Sequence, residues 1–361
     1  MKDWKKNKTN MKKTVLTIIT AVIISQAYCQ DIKDRYRLMF YNVENLFDTI
    51  DDPNTADDEF TPKGSRAWTD YKLRNKISNI YKVIAAVGEG SSPDIIGFCE
   101  IENRSVIEML IIQTPLRYQG YEIIHKDSRD RRGIDVGLIY RKDRFWPLEE
   151  HFIAAVLDDS GRVSRDILYT KGLILNGDTL HIFVNHWPSK YGGAVATRPL
   201  RDSVSLTLKR VTDSILDSNP QANIIITGDL NTDPDDEVIK DVLHAVNYSN
   251  RKNSRLVNMT TAVYPSKYKG THKYQGVWSC IDHWILSKSL IDDSPNPTKT
   301  SAEHVHIGDF DFLTEEDRTH QGKKPFRTYV GFSYNGGYSD HYPIYIDLLL
   351  YELDTQEKID N

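Results

Sequence analysis

The stretch "IIITGDLNTDPDD", Ile224–Asp236, decides how the rest of the chain is read. It opens with apolar, β-branched residues, the composition of a buried strand. It then ends in Gly228, Asp229 and Asn231, ahead of the turn residues Thr232-Asp233-Pro234 and a helix start. Such a strand holds polar side chains at the rim of a sheet. Asp229 and Asn231 are two positions apart, so an extended segment points both the same way. An Asx-turn accounts for Asp233-Pro234 and leaves the preceding pair without a role.

Working outward, the same kind of boundary recurs. Asn42 follows "LMFY", Glu100 follows "IIGFC" and His186 follows "HIFVN", while Asp282-His283 follow "WSCI" and Asp340-His341 precede "YPIYI". Six strand ends carrying carboxylates, amides or imidazoles imply one shared rim. Between them, Thr69–Gly88 reads as a helix with Leu73, Ile77, Ile80, Ile84 and Val87 on one face. A second helix is expected over Val195–Ser218 and a short one near Asp235–Val246. Strands alternate with amphipathic helices, yet several strands follow one another directly, which points to a mixed α/β architecture with two sheets. Asp292–Gly337, rich in Pro, Gly, charge and aromatic residues, reads as a long surface excursion. That segment and Asp51–Ser65 are the loops expected to choose a substrate.

The 361 residues, 39% hydrophobic and 27% charged, suit a globular chain with a real core. Lys12-Lys13 precede the apolar run "TVLTIITAVIIS", which is short for a bilayer span, and small residues follow. Residues 1–29 therefore read as a signal peptide of a secreted or periplasmic protein, with a membrane anchor or a lipid-modified Cys29 as alternatives. A catalytic domain is expected over 30–352 and a flexible tail over 353–361. The first 29 residues hold six lysines against one acid, so their removal takes the formal charge from −5 to about −10. An acidic chain argues against a broad cationic surface for duplex nucleic acid. Beyond the signal only Cys99 and Cys280 remain, expected as buried free thiols, although a single disulfide between them stays open.

"YNVEN", "GFCEIEN", "VNHWPSK", "ITGDLNTDP", "WSCIDHW" and "YSDHYP", in this order, resemble the endonuclease/exonuclease/phosphatase superfamily from about Arg37 to Leu349. The resemblance implies a four-layer α/β sandwich, two mixed β-sheets packed face to face with helices outside. It also implies hydrolysis of phosphodiesters with Mg²⁺ or Mn²⁺. Glu100 is a hard oxygen ligand for such a cation, with Asn42 and Asp340 completing the metal set. Asp229 would accept the proton of the attacking water, and Asn231 would donate to a phosphate oxygen. Asp282 and His341 would form a carboxylate–imidazole dyad, and His186 would protonate the leaving oxygen or bind phosphate. Arg165, in "VSRDIL", is similar to a phosphate-contacting arginine, and Asp135, in "GIDVGLIYR", to an acid that orients His186.

Two features fall outside the pattern. Lys190, Arg198 and Arg201 could form a basic lip, with Trp187 or Tyr191 for base stacking; a solvated loop and helix face is the alternative. His125, His181 and His283 are expected to be structural. The expected partner is a nucleic-acid substrate, DNA or RNA, met by a monomer with no dedicated nucleic-acid-binding module and no stable membrane partner. A phosphatase or a lipid phosphodiesterase on the same catalytic residues is the alternative enzyme. A catalytically silent binding protein is disfavoured, since it would not need all of these residues.

Overall fold

The structure is a computed structural model that describes residues 32–157, 161, 163–264, 270–291 and 294–351. The expected signal segment and the tail lie outside the described residues. Along the first half run β1 (Ile32–Leu46), α1 (Asp70–Gly88), β2 (Ile95–Ile101), α2 (Arg104–Ile112), β3 (Tyr121–His125), β4 (Asp135–Arg141), β5 (Phe145–Ile153) and β6 (Ile167–Ile174). There follow β7 (Thr179–His186), α3 (Ala194–Ser218), β8 (Asn223–Asp229), β9 (Ala245–Asn247), β10 (Leu256–Asn258), β11 (His272–Tyr274), β12 (Val277–Ser279) and β13 (Asp282–Ser287). The last part holds β14 (Thr298–Lys299), β15 (Val305–Ile307), β16 (Thr314–Glu316), β17 (Lys323–Pro325), β18 (Tyr329–Val330), β19 (Ser333–Tyr334) and β20 (Ile344–Tyr351).

Two mixed sheets result. One has the order β14-β20-β1-β2-β4-β3, with β15 also on β20; the other has the order β5-β6-β7-β8-β13-β10-β9. Alternation along β8 shows how they stack. Ile225 faces the apolar layer between the sheets, with Leu38, Phe40, Val184, Trp284 and Ile346. Ile224 and Ile226 face the other way, onto Val204 and Leu208 of α3. On the far side, Leu73, Ile77, Ile80 and Ile84 of α1 cover Met39, Tyr41 and Phe98 of the first sheet. The order helix, sheet, sheet, helix is the four-layer sandwich. Each such aliphatic side chain contributes roughly 1.5–3 kcal/mol by leaving water, and both faces of both central strands are covered.

Two expectations change. The segment near Asp235–Val246 forms a single π-turn at Val238–Val242 and then β9. Val238, Ile239 and Leu243 pack beneath α3, while Ala245–Asn247 pair in parallel with β10, so tertiary burial and strand pairing override helix propensity. The stretch 292–337 is no bare excursion. It supplies β14 and β15 to the first sheet and two short hairpins, and its Leu313 and Tyr329 are buried in the core beneath α1.

Candidate active site

In the second sheet the rim is built by register. His186 on β7 is the direct partner of Asp229 on β8, and Asp229 of Asp282 on β13, so three polar side chains form one row across three strands. Gly228 permits this close approach: with φ +149°, a Cβ there would lie 2.2 Å from the Asn185 carbonyl oxygen. His341 enters from the segment before β20, held beside His272 by an isolated bridge. Its Nδ1 is 2.8 Å from Asp282 Oδ2, and its Nε2 is 3.8 Å from Asp229 Oδ2. His186 Nε2 approaches the same Asp229 oxygen at 3.8 Å and Glu100 Oε1 at 4.0 Å.

In the first sheet the rim is built by bulges. Between the pairs Asn42↔Cys99 and Leu46↔Ile101, β1 uses four steps where β2 uses two. Between Cys99↔Val136 and Ile101↔Asp135, β2 in turn inserts Glu100. Glu44, Asn45 and Glu100 sit in left-handed backbone with φ of 49°, 58° and 61°. Bulges next to active sites re-aim side chains, and non-glycine residues with positive φ cost on the order of 1–3 kcal/mol each. The re-aimed acids are tied down. Glu100 Oε2 accepts the Asn45 N–H at 2.9 Å, and Glu44 Oε2 accepts the Thr328 N–H at 2.7 Å. Arg327 bridges Glu44 Oε1 and Asp340 Oδ2 at 2.8 and 2.9 Å, while buried Lys76 donates to Thr328 Oγ1 and the Tyr338 carbonyl.

Electrostatics set the two histidines apart. Burial alone would lower His341, but Asp282, with Asp229 and Asp340 behind it, raises it well above the ordinary histidine value, so it is an imidazolium. Burial, together with Arg165, Arg132 and His341, holds His186 well below that value, so it is neutral. Burial pushes the Asp229 carboxyl up to about 7, against the pull of His341. Burial would also raise Asp340, yet Arg327 overrides it and keeps that carboxyl well below the usual carboxylate range.

The structure brings together Asn42, Glu100, His186, Asp229, Asp282 and His341, and places four expected residues in other roles. Asn42 is 1% exposed; its oxygen accepts the Glu44 N–H at 3.0 Å and its amide donates to Asp229 Oδ2 at 3.1 Å. It braces the carboxylate rather than presenting a metal ligand. Asn231 leaves the extended path at φ 50° and donates its amide to the Trp187 carbonyl, while its backbone N–H binds Asp229 Oδ1 at 2.9 Å. The strand ends one residue too early for the pair to point alike. Arg165 is no free phosphate contact: Nε and Nη2 hold the carbonyls of His186 and Trp187, and Nη1 pairs with Asp130 at 2.7 Å. Asp135 accepts from the Ser128 N–H, and no hydrogen bond or ion pair joins it to His186, whose buried Nδ1 has no partner among the described residues.

The expected basic lip is largely spent as well. Arg201 is buried on the loop carbonyls of Pro188, Ser189 and Ala194, Lys190 pairs with Asp233, and Arg198 with Glu237. Trp187 is fully buried, leaving Tyr191, 93% exposed, as the accessible ring. His283 is structural, between Asn258 and the Thr232 carbonyl, and Cys99 and Cys280 are buried free thiols. Sequence reasoning missed Glu44, Lys76, His272 and Arg327. Glu44 stood inside the quoted "YNVEN"; the other three carry no local signal.

The donor set fits a hard divalent cation. Glu44, Glu100, Asp229, Asp282 and Asp340 outnumber Arg327, Lys76 and His341, and among the described residues Glu100 Oε1 accepts no hydrogen bond and buried Asp282 Oδ1 has no partner. A two-sheet sandwich with carboxylates and imidazoles converging at one rim defines the class of metal-assisted hydrolases. The pattern of the Endonuclease/Exonuclease/phosphatase family matches residues 37–349, and the chain belongs to that family of phosphoester hydrolases, whose enzymes are generally divalent-metal-dependent. Solved structures share the fold. TDP2 of D. rerio complexed with single strand DNA product is 15% identical, with TM-score 0.52, covering 88% of this chain and 99% of its own. The human Nocturnin catalytic domain with bound sulfate is 15% identical, TM-score 0.52, covering 88% and 94%. A mannosyl-6-phosphatase of Bacteroides thetaiotaomicron is 15% identical, TM-score 0.52, covering 87% and 100%. Among curated proteins none matches.

Proposed function

We propose that the chain is a secreted, Mg²⁺- or Mn²⁺-dependent phosphodiesterase that cleaves nucleic acid by attack of water on phosphorus. The observation that carries the chemistry is the row His186–Asp229–Asp282 with His341 docked on it. A divalent cation at Glu100 would polarise the phosphate and offset its charge. Asp229, braced by Asn42 and the Asn231 N–H, takes the proton of the attacking water. His341, held as an imidazolium by Asp282, places positive charge against the phosphorane oxygens. Neutral His186 is fixed through its carbonyl by Arg165 and turns Nε2 toward the same space, where it binds the phosphate or leaving oxygen. Asn231 shapes the site by holding the Trp187 carbonyl.

The substrate reading favours a single strand or a chain end over a duplex. The cations expected to track a backbone are paired, whereas Tyr191 and Phe332, 93% and 67% exposed, offer rings on which unpaired bases stack. The likeness to TDP2, solved with single-strand DNA product, supports that reading. A second reading, a small phosphate ester, draws on the same pairing of Lys190, Arg198 and Arg201, and the sugar-phosphatase neighbour supports it. The test is incubation of the purified chain with Mg²⁺ and, in parallel, single-stranded DNA and RNA, plasmid, an inositol polyphosphate, mannose 6-phosphate and sphingomyelin, with Asp229→Asn as control. Cleavage of single strands by wild type alone is expected. Turnover confined to the small esters or the lipid would replace the nuclease, and activity unchanged by chelation would remove the metal.

A further inference from the structure

Two acids at the rim are already joined through a cation that belongs to the chain. Glu44 comes from the β1 bulge and Asp340 from the segment before β20, and Arg327 lies between them. Its Nε and Nη2 are each 2.8 Å from Glu44 Oε1, and the same Nη2 is 2.9 Å from Asp340 Oδ2. A metal bridging two carboxylates would need that volume, because hard divalent ions hold oxygen at about 2.0–2.6 Å. The guanidinium is planar, permanently charged and poorly replaced by a point cation. Below it, the Lys76 ammonium is fixed on Thr328 Oγ1 and the Tyr338 carbonyl, 1% exposed. The four groups cancel formally: two acids, two bases. Glu100 differs in that no arginine or lysine among the described residues pairs with it: one oxygen accepts the Asn45 N–H and the other accepts no hydrogen bond among them.

We infer that Arg327 is a built-in cation that fills the position between Glu44 and Asp340, so that the site takes one divalent ion, at Glu100, rather than two. This rests on the metal-assisted reading of the site and adds to it the number of ions and the residue that sets that number. It also takes Asp340 Oδ2, the oxygen that Arg327 holds, out of the expected metal set. An arginine in place of a second metal has a chemical consequence. The edge of Arg327 turned away from the acids, Nη1, makes no hydrogen bond or ion pair among the described residues and can donate to a phosphate oxygen, the task first expected of Arg165.

The experiment counts metal without substrate. The chelator-stripped chain is titrated with Mn²⁺, and free Mn²⁺ is read from the paramagnetic resonance signal of the aqua ion. Wild type binds one Mn²⁺, and Glu100→Gln weakens it by about 100-fold or more. Arg327→Ala binds two, and the second is lost again in Arg327→Ala/Glu44→Gln. Glu44→Gln alone keeps one. Two Mn²⁺ in wild type, or one in an Arg327→Ala chain whose circular dichroism and melting are native, overturns the inference while leaving metal-assisted hydrolysis standing. If Arg327→Ala does not fold, loss of the wild-type ion in folded Glu44→Gln overturns it just as well. No Mn²⁺ bound by wild type would instead overturn the proposed mechanism, and this inference with it.

Discussion

The two halves of the rim are made in opposite ways. On the second sheet, His186, Asp229 and Asp282 are consecutive register partners on regular strands, and the ladder itself aligns them. On the first sheet, Glu44, Asn45 and Glu100 stand where the ladder slips, in left-handed backbone. A ladder fixes relative position cheaply, since the backbone hydrogen bonds are made anyway. A bulge turns a side chain out of the alternation, at a cost in strain, and needs neighbours to hold it. The ladder half therefore suits groups that must keep fixed distances from each other, and the bulge half suits an acid that must reach a ligand.

The largest effect expected from breaking the ladder half is chemical. Asp229→Asn should lower kcat by about 10³-fold or more with an unchanged melting temperature, as loss of a general base does. Unchanged turnover would take Asp229 out of the mechanism. Next is the close approach that the ladder needs. Gly228→Ala places a Cβ 2.2 Å from the Asn185 oxygen, and should destabilise the fold by about 3 kcal/mol, read as a lowered urea midpoint. A midpoint within error of wild type would show that β7 and β8 tolerate separation.

A titration then separates scaffold from rim. His125, at the end of β3, is pushed by burial down to about 4. Its folded value lies below the unfolded one, so the unfolded chain takes up the proton first and stability is lost as pH falls from 6.5 to 4. The loss is about 3 kcal/mol. His181 and His272, also pushed by burial down to about 4, share that window. His125→Phe should therefore lessen the loss by about 3 kcal/mol in denaturant melts while leaving the pH profile of activity in place; a loss unchanged from wild type would take His125 out of acid unfolding. The smallest effect is a gain. Glu100→Gly relieves the left-handed backbone and should stabilise the fold by about 1 kcal/mol while removing the metal carboxylate. A loss of stability would mean that the bulge is held by the side chain and is not strained.

The same contrast explains what could be read from the sequence. The β8 run, the apolar faces of α1 and α3, and the polar ends of the ladder strands are local patterns with period two or near four, and each matches the structure in place. They point to a mixed α/β fold with two sheets, and the four-layer sandwich came from the family resemblance. Glu100 was found because it ends a strand, but its bulge left no mark in the residue pattern, and Glu44 was passed over inside a quoted motif for that reason. Arg327 binds an acid 283 positions away, which no local period encodes. Arg165 was assigned from the family resemblance and Asn231 from its spacing to Asp229, yet the carbonyls of His186 and Trp187 claim them first. The π-turn at Val238–Val242 was missed since burial under α3, not helical periodicity, sets its shape.

One pairing bears on how the molecule comes into being. β1, the first described strand, lies between β2 and β20, the last, and is antiparallel to β20 along most of its length. Asn42 and Glu44 emerge early in synthesis, whereas Asp340 and His341 arrive with the strand that closes the sheet. A chain that stops short of residue 340 lacks two of the rim's polar side chains and the antiparallel partner of β1. The rim is thus complete only once β20 has been made and paired with β1, two strands about three hundred positions apart.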